Sequence, residues 1–134
     1  MSAIIADTTV WIDLLAKHEN PQSKILEQTI SSGKKIVLCP IILQEILQGI
    51  RDDVTFEMLK EHLLRFEMLY AEPVELALES AQLYRGLRKK GITIRKAVDC
   101  IIATYAIIYN IELLHRDGDF DKIAKYSKLK IVSI

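Results

Sequence analysis

Ile4-Ile5-Ala6-Asp7-Thr8-Thr9-Val10-Trp11-Ile12-Asp13 changes its period partway along. An apolar run short enough for a buried strand stops on a carboxylate and two hydroxyl side chains. Helical spacing then takes over, with Val10, Trp11, Leu14 and Leu15 set for one apolar face. A strand running straight into a helix is the opening unit of an α/β fold. In such folds ligands bind outside the carboxyl ends of the strands, so Asp7 is a candidate for chemistry. A second reading stands beside it: Asp7 or Thr8 caps the helix, a position both residue types favour.

Outward from this unit the alternation continues. Asn20-Pro21 predicts a cap and a first-turn proline for a helix that carries Ile25, Leu26 and Ile30 inward and stops near Gly33. Lys35 to Cys39 reads as a second short strand, and Pro40 opens a helix over Ile41 to about Ile50. Helical spacing recurs from Phe56 to Phe66, and Met68 to Tyr70 reads as a short strand. Long helices are expected over Val74 to Lys90 and Lys96 to Tyr109, the first ended by Gly91 and the second by Asn110 in a left-handed conformation. Ile111 to His115 is a strand, Asp117-Gly118 a turn, Phe120 to Tyr126 a short helix and Lys130 to Ile134 a last strand. Strands separated by helices imply a central parallel sheet covered on both faces, a three-layer α/β/α architecture. Right-handed crossovers bring all strand carboxyl ends to one rim.

The 134 residues are expected to form a single domain, 1–134. With 50% hydrophobic and 27% charged residues the balance is that of a globular protein. Acidic and basic side chains cancel at 18 each, so a polyanion would have to be drawn by a local basic patch. No apolar run approaches the ~20 residues of a membrane span, and no leader segment is recognisable. Cys39 and Cys100 lie in apolar stretches, as expected of buried free thiols in a reducing, cytoplasmic setting.

Four further acidic residues, at three places in the chain, fall on the rim that carries Asp7. Glu45 lies in the helix after the second strand; a solvated face marked by Gln44 and Gln48 is the alternative to a site role. Asp99 sits in Ala97-Val98-Asp99-Cys100-Ile101-Ile102-Ala103, a helix apolar almost all round. A carboxylate buried there needs a proton, a cation or a metal; Arg95 or Lys96 would supply the cation in the structural reading. Asp117 and Asp119, in Arg116-Asp117-Gly118-Asp119-Phe120-Asp121, are placed either to bind or to cap the last helix. Carboxylates gathered without histidine or cysteine select a hard cation, Mg2+ or Mn2+. His18, His62 and His115 are too scattered for a zinc motif, and no phosphate-binding glycine loop or nucleophile elbow is present.

Four segments together resemble the PIN-domain ribonucleases, most closely the VapC-type toxins of prokaryotic toxin–antitoxin pairs. They are Ile5 to Asp13, the helix centred on Gln44-Glu45-Ile46, Gly91-Ile92-Thr93-Ile94 leading to Val98 to Ala103, and Leu114-His115-Arg116-Asp117-Gly118-Asp119-Phe120. The resemblance covers essentially the whole chain. It implies metal-dependent hydrolysis of RNA phosphodiesters, with Asp7, Glu45, Asp99 and an aspartate of the Asp117/Asp119 pair as catalytic metal ligands. Thr8 and Thr9 match its supporting hydroxyl positions, and His115 stands where threonine is more usual. It also implies a homodimer and a cognate antitoxin partner. The run Arg85, Arg88, Lys89, Lys90, Arg95 and Lys96, with Arg116, is the candidate RNA-binding patch; its alternative is a solvated helix end. Two competing functions remain, a phosphoacceptor signalling domain built around Mg2+ and a PIN fold that only binds.

Overall fold

The computed structural model describes residues 3–134. Strand β1 (Ala3–Ala6) runs into helix α1 (Thr8–Leu15), which is followed by α2 (Pro21–Ser31) and β2 (Lys35–Leu38). Helices α3 (Pro40–Gln48) and α4 (Asp53–Leu63) lead to β3 (Glu67–Met68). The chain then makes a long crossover through α5 (Pro73–Lys89) and α6 (Ala97–Tyr109) to β4 (Glu112–Leu114), and closes with α7 (Gly118–Lys125) and β5 (Lys130–Ile131). All strand pairs are parallel, in the order β3-β2-β1-β4-β5. The expected parallel α/β/α sandwich is therefore the fold.

The order reverses between β1 and β4. Successive strands move outward from β1 to β3, and the α5–α6 crossover then returns the chain to the other side of β1. Crossovers leaving in opposite directions put their helices on opposite faces, which opens a crevice at the carboxyl ends of the two central strands. Helix contacts follow that division: α1 packs on α2 and α3, α3 on α4, and α6 on α5 and α7, while α3 also meets α6. The amide of Asp7 donates to the Leu114 carbonyl at 2.9 Å, so the ends of β1 and β4 are tied together at the reversal.

Local chemistry explains the element ends. Asn20 and Ser23 form a reciprocal capping box with Pro21 in the first turn of α2. Gly33 and Gly91 adopt positive φ after α2 and α5, and Asn110 does so after α6, as its side chain allows. Helix α4 starts at Asp53, before the expected Phe56, because Asp52 accepts the Thr55 amide at 2.8 Å. The outer strands are shorter than the apolar runs that announced them. Helix α1 also turns differently from the expected stripe: Val10 and Trp11 are buried, Leu14 is half-buried, but Leu15 is exposed and Asp13 is buried. Trp11 meets Phe66 edge-on, with ring centroids 5.3 Å apart.

The core runs through Ile5, Val37, Leu38, Ile42, Ile102, Leu113, Phe120 and Ile123. Phe120 is fully buried and fixes α7, and so the acidic loop before it, to the sheet. Burial of such a ring contributes about 2–3 kcal/mol. Cys39 and Cys100 are free and buried, and burial pushes their thiols up to about 12 and about 11 respectively, so neither is a nucleophile near neutrality. Among the described residues no helix is long and apolar enough to cross a membrane.

Candidate metal centre

Each acidic side chain reaches the crevice by a different local route. Asp7 follows β1, and its carbonyl accepts the amides of Val10 and Trp11 to start α1. Its backbone is thus the helix cap, but its carboxylate makes no capping hydrogen bond and is only 5% exposed. Burial pushes that carboxyl above the ordinary aspartate range. The nearby amides of Thr8 and Thr9 oppose this, the Glu45 carboxylate adds to it, and the Lys96 ammonium opposes it again.

Glu45 lies on α3, half-buried, and its Oε1 accepts the hydroxyl of Thr8 at 2.6 Å. The solvated stripe belongs to Gln44 and Gln48, which bond each other instead. Thr8 is buried and orients Glu45 directly. Thr9 is exposed, and what it brings to Asp7 is its amide rather than its hydroxyl. Thr8→Val is expected to leave the fold intact and lower RNA cleavage by about 10–100-fold, the usual effect of removing a group that orients a ligand. Turnover measured beside a thermal melt separates this from unfolding; unchanged turnover would assign the Thr8–Glu45 bond to structure alone.

Asp99 opens the first turn of α6 and is 4% exposed. Its Oδ2 is buried without a hydrogen-bond partner; among the described residues the only other such atom is the neutral indole nitrogen of Trp11. An unpaired carboxylate oxygen is by far the more costly of the two. Burial pushes the Asp99 carboxyl up to about 6; the charges of Asp7, Asp117 and Asp119 add to this, and Lys96 opposes it.

Asp117 and Asp119 follow β4. Asp117 caps α7 by accepting the Asp119 amide at 3.0 Å, so the capping reading is correct for it without exhausting its acceptors. Arg95 closes over the pair. Its amide and Nε reach Asp119 Oδ2 at 3.2 and 3.3 Å, and its Nη2 reaches both Asp117 oxygens at 3.1 and 3.2 Å. Although burial raises the Asp119 carboxyl, the Arg95 amide and guanidinium together with Lys122 outweigh it and hold the group below its ordinary range.

Asp99, Asp117 and Asp119 each offer an oxygen, all within 4.8 Å of one another. Asp7 adjoins Asp99 closely enough to raise it, and Glu45 lies close enough to Asp7 to raise that carboxyl in turn. The donor set is oxygen only, and one buried donor atom is unclaimed. That chemistry fits a hard divalent cation such as Mg2+ or Mn2+.

Two supporting groups escape a sequence reading. Asp13, on the buried side of α1, pairs with Arg116 and accepts Asn20 Nδ2 at 3.1 Å, which fastens the α1–α2 turn to the loop after β4. Burial raises the Asp13 carboxyl, but hydrogen bonds from Arg116 and Asn20 and the charges of Arg116 and His18 bring it below its ordinary range. Its helical spacing from Val10 was the available signal. His115 Nδ1 accepts the Asp117 amide at 3.0 Å, which leaves Nε2 to donate to Asp121 Oδ1 at 3.1 Å; the ring also packs on Phe120. His115 therefore shapes the acidic loop from beneath.

Of the expected basic patch, Arg85 bonds Gln82, Arg88 lies over Tyr84 and Lys90 over Tyr126, while Lys89 is exposed and Lys96 acts electrostatically on Asp7 and Asp99. Arg95 and Arg116 face carboxylates of the chain itself.

The PIN domain family model matches residues 4–126. VapC ribonuclease Mb1587 of Mycobacterium bovis and ribonuclease VapC11 of Mycobacterium tuberculosis are each 30% identical over 131 residues, covering 97% of this chain and 98% of theirs. Among solved structures the fold is similar to VapBC-1 from nontypeable Haemophilus influenzae, with a TM-score of 0.75 at 22% identity over 98% of this chain and 97% of that one. It is also similar to FitAcB from Neisseria gonorrhoeae, with a TM-score of 0.70 at 22% identity over 97% and 96%. At that identity the structures speak for the fold alone. On the family match and the two near-full-length relatives, the chain belongs to the PIN domain family, with VapC ribonucleases among its relatives.

Proposed function

We propose that this chain is an Mg2+- or Mn2+-dependent endoribonuclease, the toxin of a toxin–antitoxin pair. It works as a homodimer in the cytoplasm and is held inactive by a cognate antitoxin. The observation that carries the activity is the unpartnered, buried Asp99 oxygen set among further carboxylates at the reversal of the sheet. Two relatives named as VapC ribonucleases support the reaction class and, with the neighbours solved as VapBC, an antitoxin as the partner.

Asp7, Asp99, Glu45, Asp119 and Asp117 are the residues to hold the ion. When bound, a divalent ion supplies Lewis-acid activation of water and neutralises the charge that builds on the phosphate. The chain's own groups do the rest. Thr8 fixes Glu45, and His115 together with the Asp13–Arg116 pair holds the Asp117–Asp119 loop in register with Asp7. Lys96, with Arg88, Lys89 and Lys90 at the end of α5, offsets the repulsion that a phosphate backbone meets at an acidic crevice.

Two other readings are less well supported. Phosphoacceptor domains use the doubly wound strand order 2-1-3-4-5 rather than the 3-2-1-4-5 found here, and they need a lysine at the end of the last strand, whereas Lys130 begins β5. A pure binding module gives no reason to keep a buried carboxylate without a partner.

The test is cleavage of mixed RNA with Mg2+ or Mn2+. Asp7→Asn is expected to lower the rate by at least about a hundredfold, as loss of a charge-placing group does. Undiminished cleavage by Asp7→Asn would exclude this site as the catalytic one. In the same assay Lys89→Ala with Lys90→Ala is expected to raise KM and flatten its salt dependence by about one to two phosphate contacts. A slope identical to that of the native chain would remove the patch from RNA binding.

A further inference from the structure

Arg95 occupies two of the carboxylates of the candidate metal centre and leaves the third alone. Its Nη2 contacts both oxygens of Asp117 and its Nε contacts Asp119 Oδ2, yet Asp99 Oδ2, in the same cluster, receives no donor. The Arg95 side chain is 70% exposed, so it can leave without opening a cavity or burying its charge elsewhere. Its backbone amide also bonds Asp119, and that bond holds the carboxylate in place whichever way the side chain turns.

We propose that Arg95 is the resident counter-cation of the metal-free centre, bridging Asp117 and Asp119 until a divalent ion takes their oxygens and displaces it. The proposal rests on the reading of the acidic cluster as a metal site and deepens it: the chain carries a competitor for its own ion. A guanidinium and a metal ion are like charges drawn to the same two carboxylates, so each weakens the other's hold there. The divalent ion has the advantage because it also gains Asp99, which Arg95 does not reach. Apparent metal affinity is then the intrinsic affinity scaled by the fraction of molecules in which Arg95 has swung away. The guanidinium is 70% exposed, although the Asp119 carboxylate it meets is only 5% exposed, so water screens one side of the pair and the expected scaling is modest, about three- to tenfold. A permanent structural arginine would behave in the opposite way, since removing it would loosen Asp117 and Asp119 and weaken the metal.

The experiment is calorimetric titration of the full chain with Mn2+ at pH 7.5, using the native protein, Arg95→Gln, Arg95→Lys and Asp99→Asn, with melting curves of each in chelator and in saturating Mn2+. Arg95→Gln is expected to bind Mn2+ about three- to tenfold more tightly. It should also melt lower than the native chain in chelator and show a larger rise on adding the ion. Arg95→Lys, whose single ammonium cannot bridge both carboxylates, should shift the same way by less, and it serves if Arg95→Gln does not fold without metal. Mn2+ affinity unchanged or weakened in the arginine variants overturns the proposal. If they fail while Asp99→Asn abolishes binding, the metal centre stands and only the role of Arg95 falls. If Asp99→Asn binds Mn2+ as the native chain does, the metal-site reading fails and the proposal with it.

Discussion

Asp99→Asn is expected to abolish RNA cleavage while making the metal-free protein more stable at pH 7. The two effects have one cause. An aspartate with an ordinary value of 3.8 in the unfolded chain and about 6 in the fold binds its proton more tightly when folded. Between those values the folded protein keeps a proton that the unfolded chain has released. Stability therefore falls as pH rises through the window, by about 3 kcal/mol in total, and is flat above it. At pH 7 the ionised Asp99 carries that cost in full, whereas asparagine keeps the shape without the charge. Urea unfolding in chelator should show the variant and the native chain nearly equal at pH 4 and the variant ahead by up to about 3 kcal/mol at pH 7. Cleavage should fall roughly a thousandfold or more, because the variant loses a carboxylate that places the ion. A variant less stable than the native chain at pH 7 would mean that Asp99 already has a stabilising partner.

The second large effect is on metal affinity as a function of pH. Ions bind the deprotonated carboxylates, so protons compete wherever a ligand titrates. With Asp99 at about 6, Mn2+ affinity should be level above pH 7 and drop about tenfold per unit below pH 6. Asp7 is raised as well, by burial and by Glu45, and steepens the fall where both groups must ionise together. Asp119 does not contribute in this range, because Arg95 and Lys122 hold it below its ordinary value against the effect of burial. Titrations at pH 5, 6 and 7.5 measure the slope. Equal affinity at all three would mean that the ion is held by ordinary, solvated carboxylates and not by this pair.

Much of the fold is legible in the order of apolar periods, because β1 and β2 are short branched runs halted at aspartate and before proline, and β4 is a short apolar run before an aspartate–glycine turn. The strand ends at the sheet edges are not legible in the same way. Val132 still bonds the Leu113 carbonyl beyond the end of β5, and nothing in its side chain says that regular pairing stops before it. The reversal between β1 and β4 is likewise a property of the whole chain, as it depends on which side the α5–α6 crossover takes.

In the site, the acidic residues announce themselves because carboxylates in apolar segments are expensive. Asp99 is the clearest: the helix around it is apolar, and in the fold its buried Oδ2 has no partner. What the sequence does not show is which cations answer which acids. Arg95 reads as part of a basic run or as a cation for Asp99, and Arg116 as a further member of the basic patch, yet Arg95 bridges Asp117 and Asp119 and Arg116 meets Asp13 across a separation of 103 residues. Local spacing carries no record of such a pairing. The role of His115 is hidden for the same reason, since its partners are the amide and carboxylate of a turn whose shape exists only once Phe120 is buried.

The central claim is that these acids form one divalent-metal centre, and a crystal of the chain soaked in Mn2+ tests it most directly through anomalous scattering. A peak bounded by Asp99 and the Asp117–Asp119 loop, beside Asp7 and with the Arg95 guanidinium moved off the loop, is the predicted result. Full Mn2+ loading with no peak at these carboxylates, or with the peak elsewhere on the molecule, would contradict it.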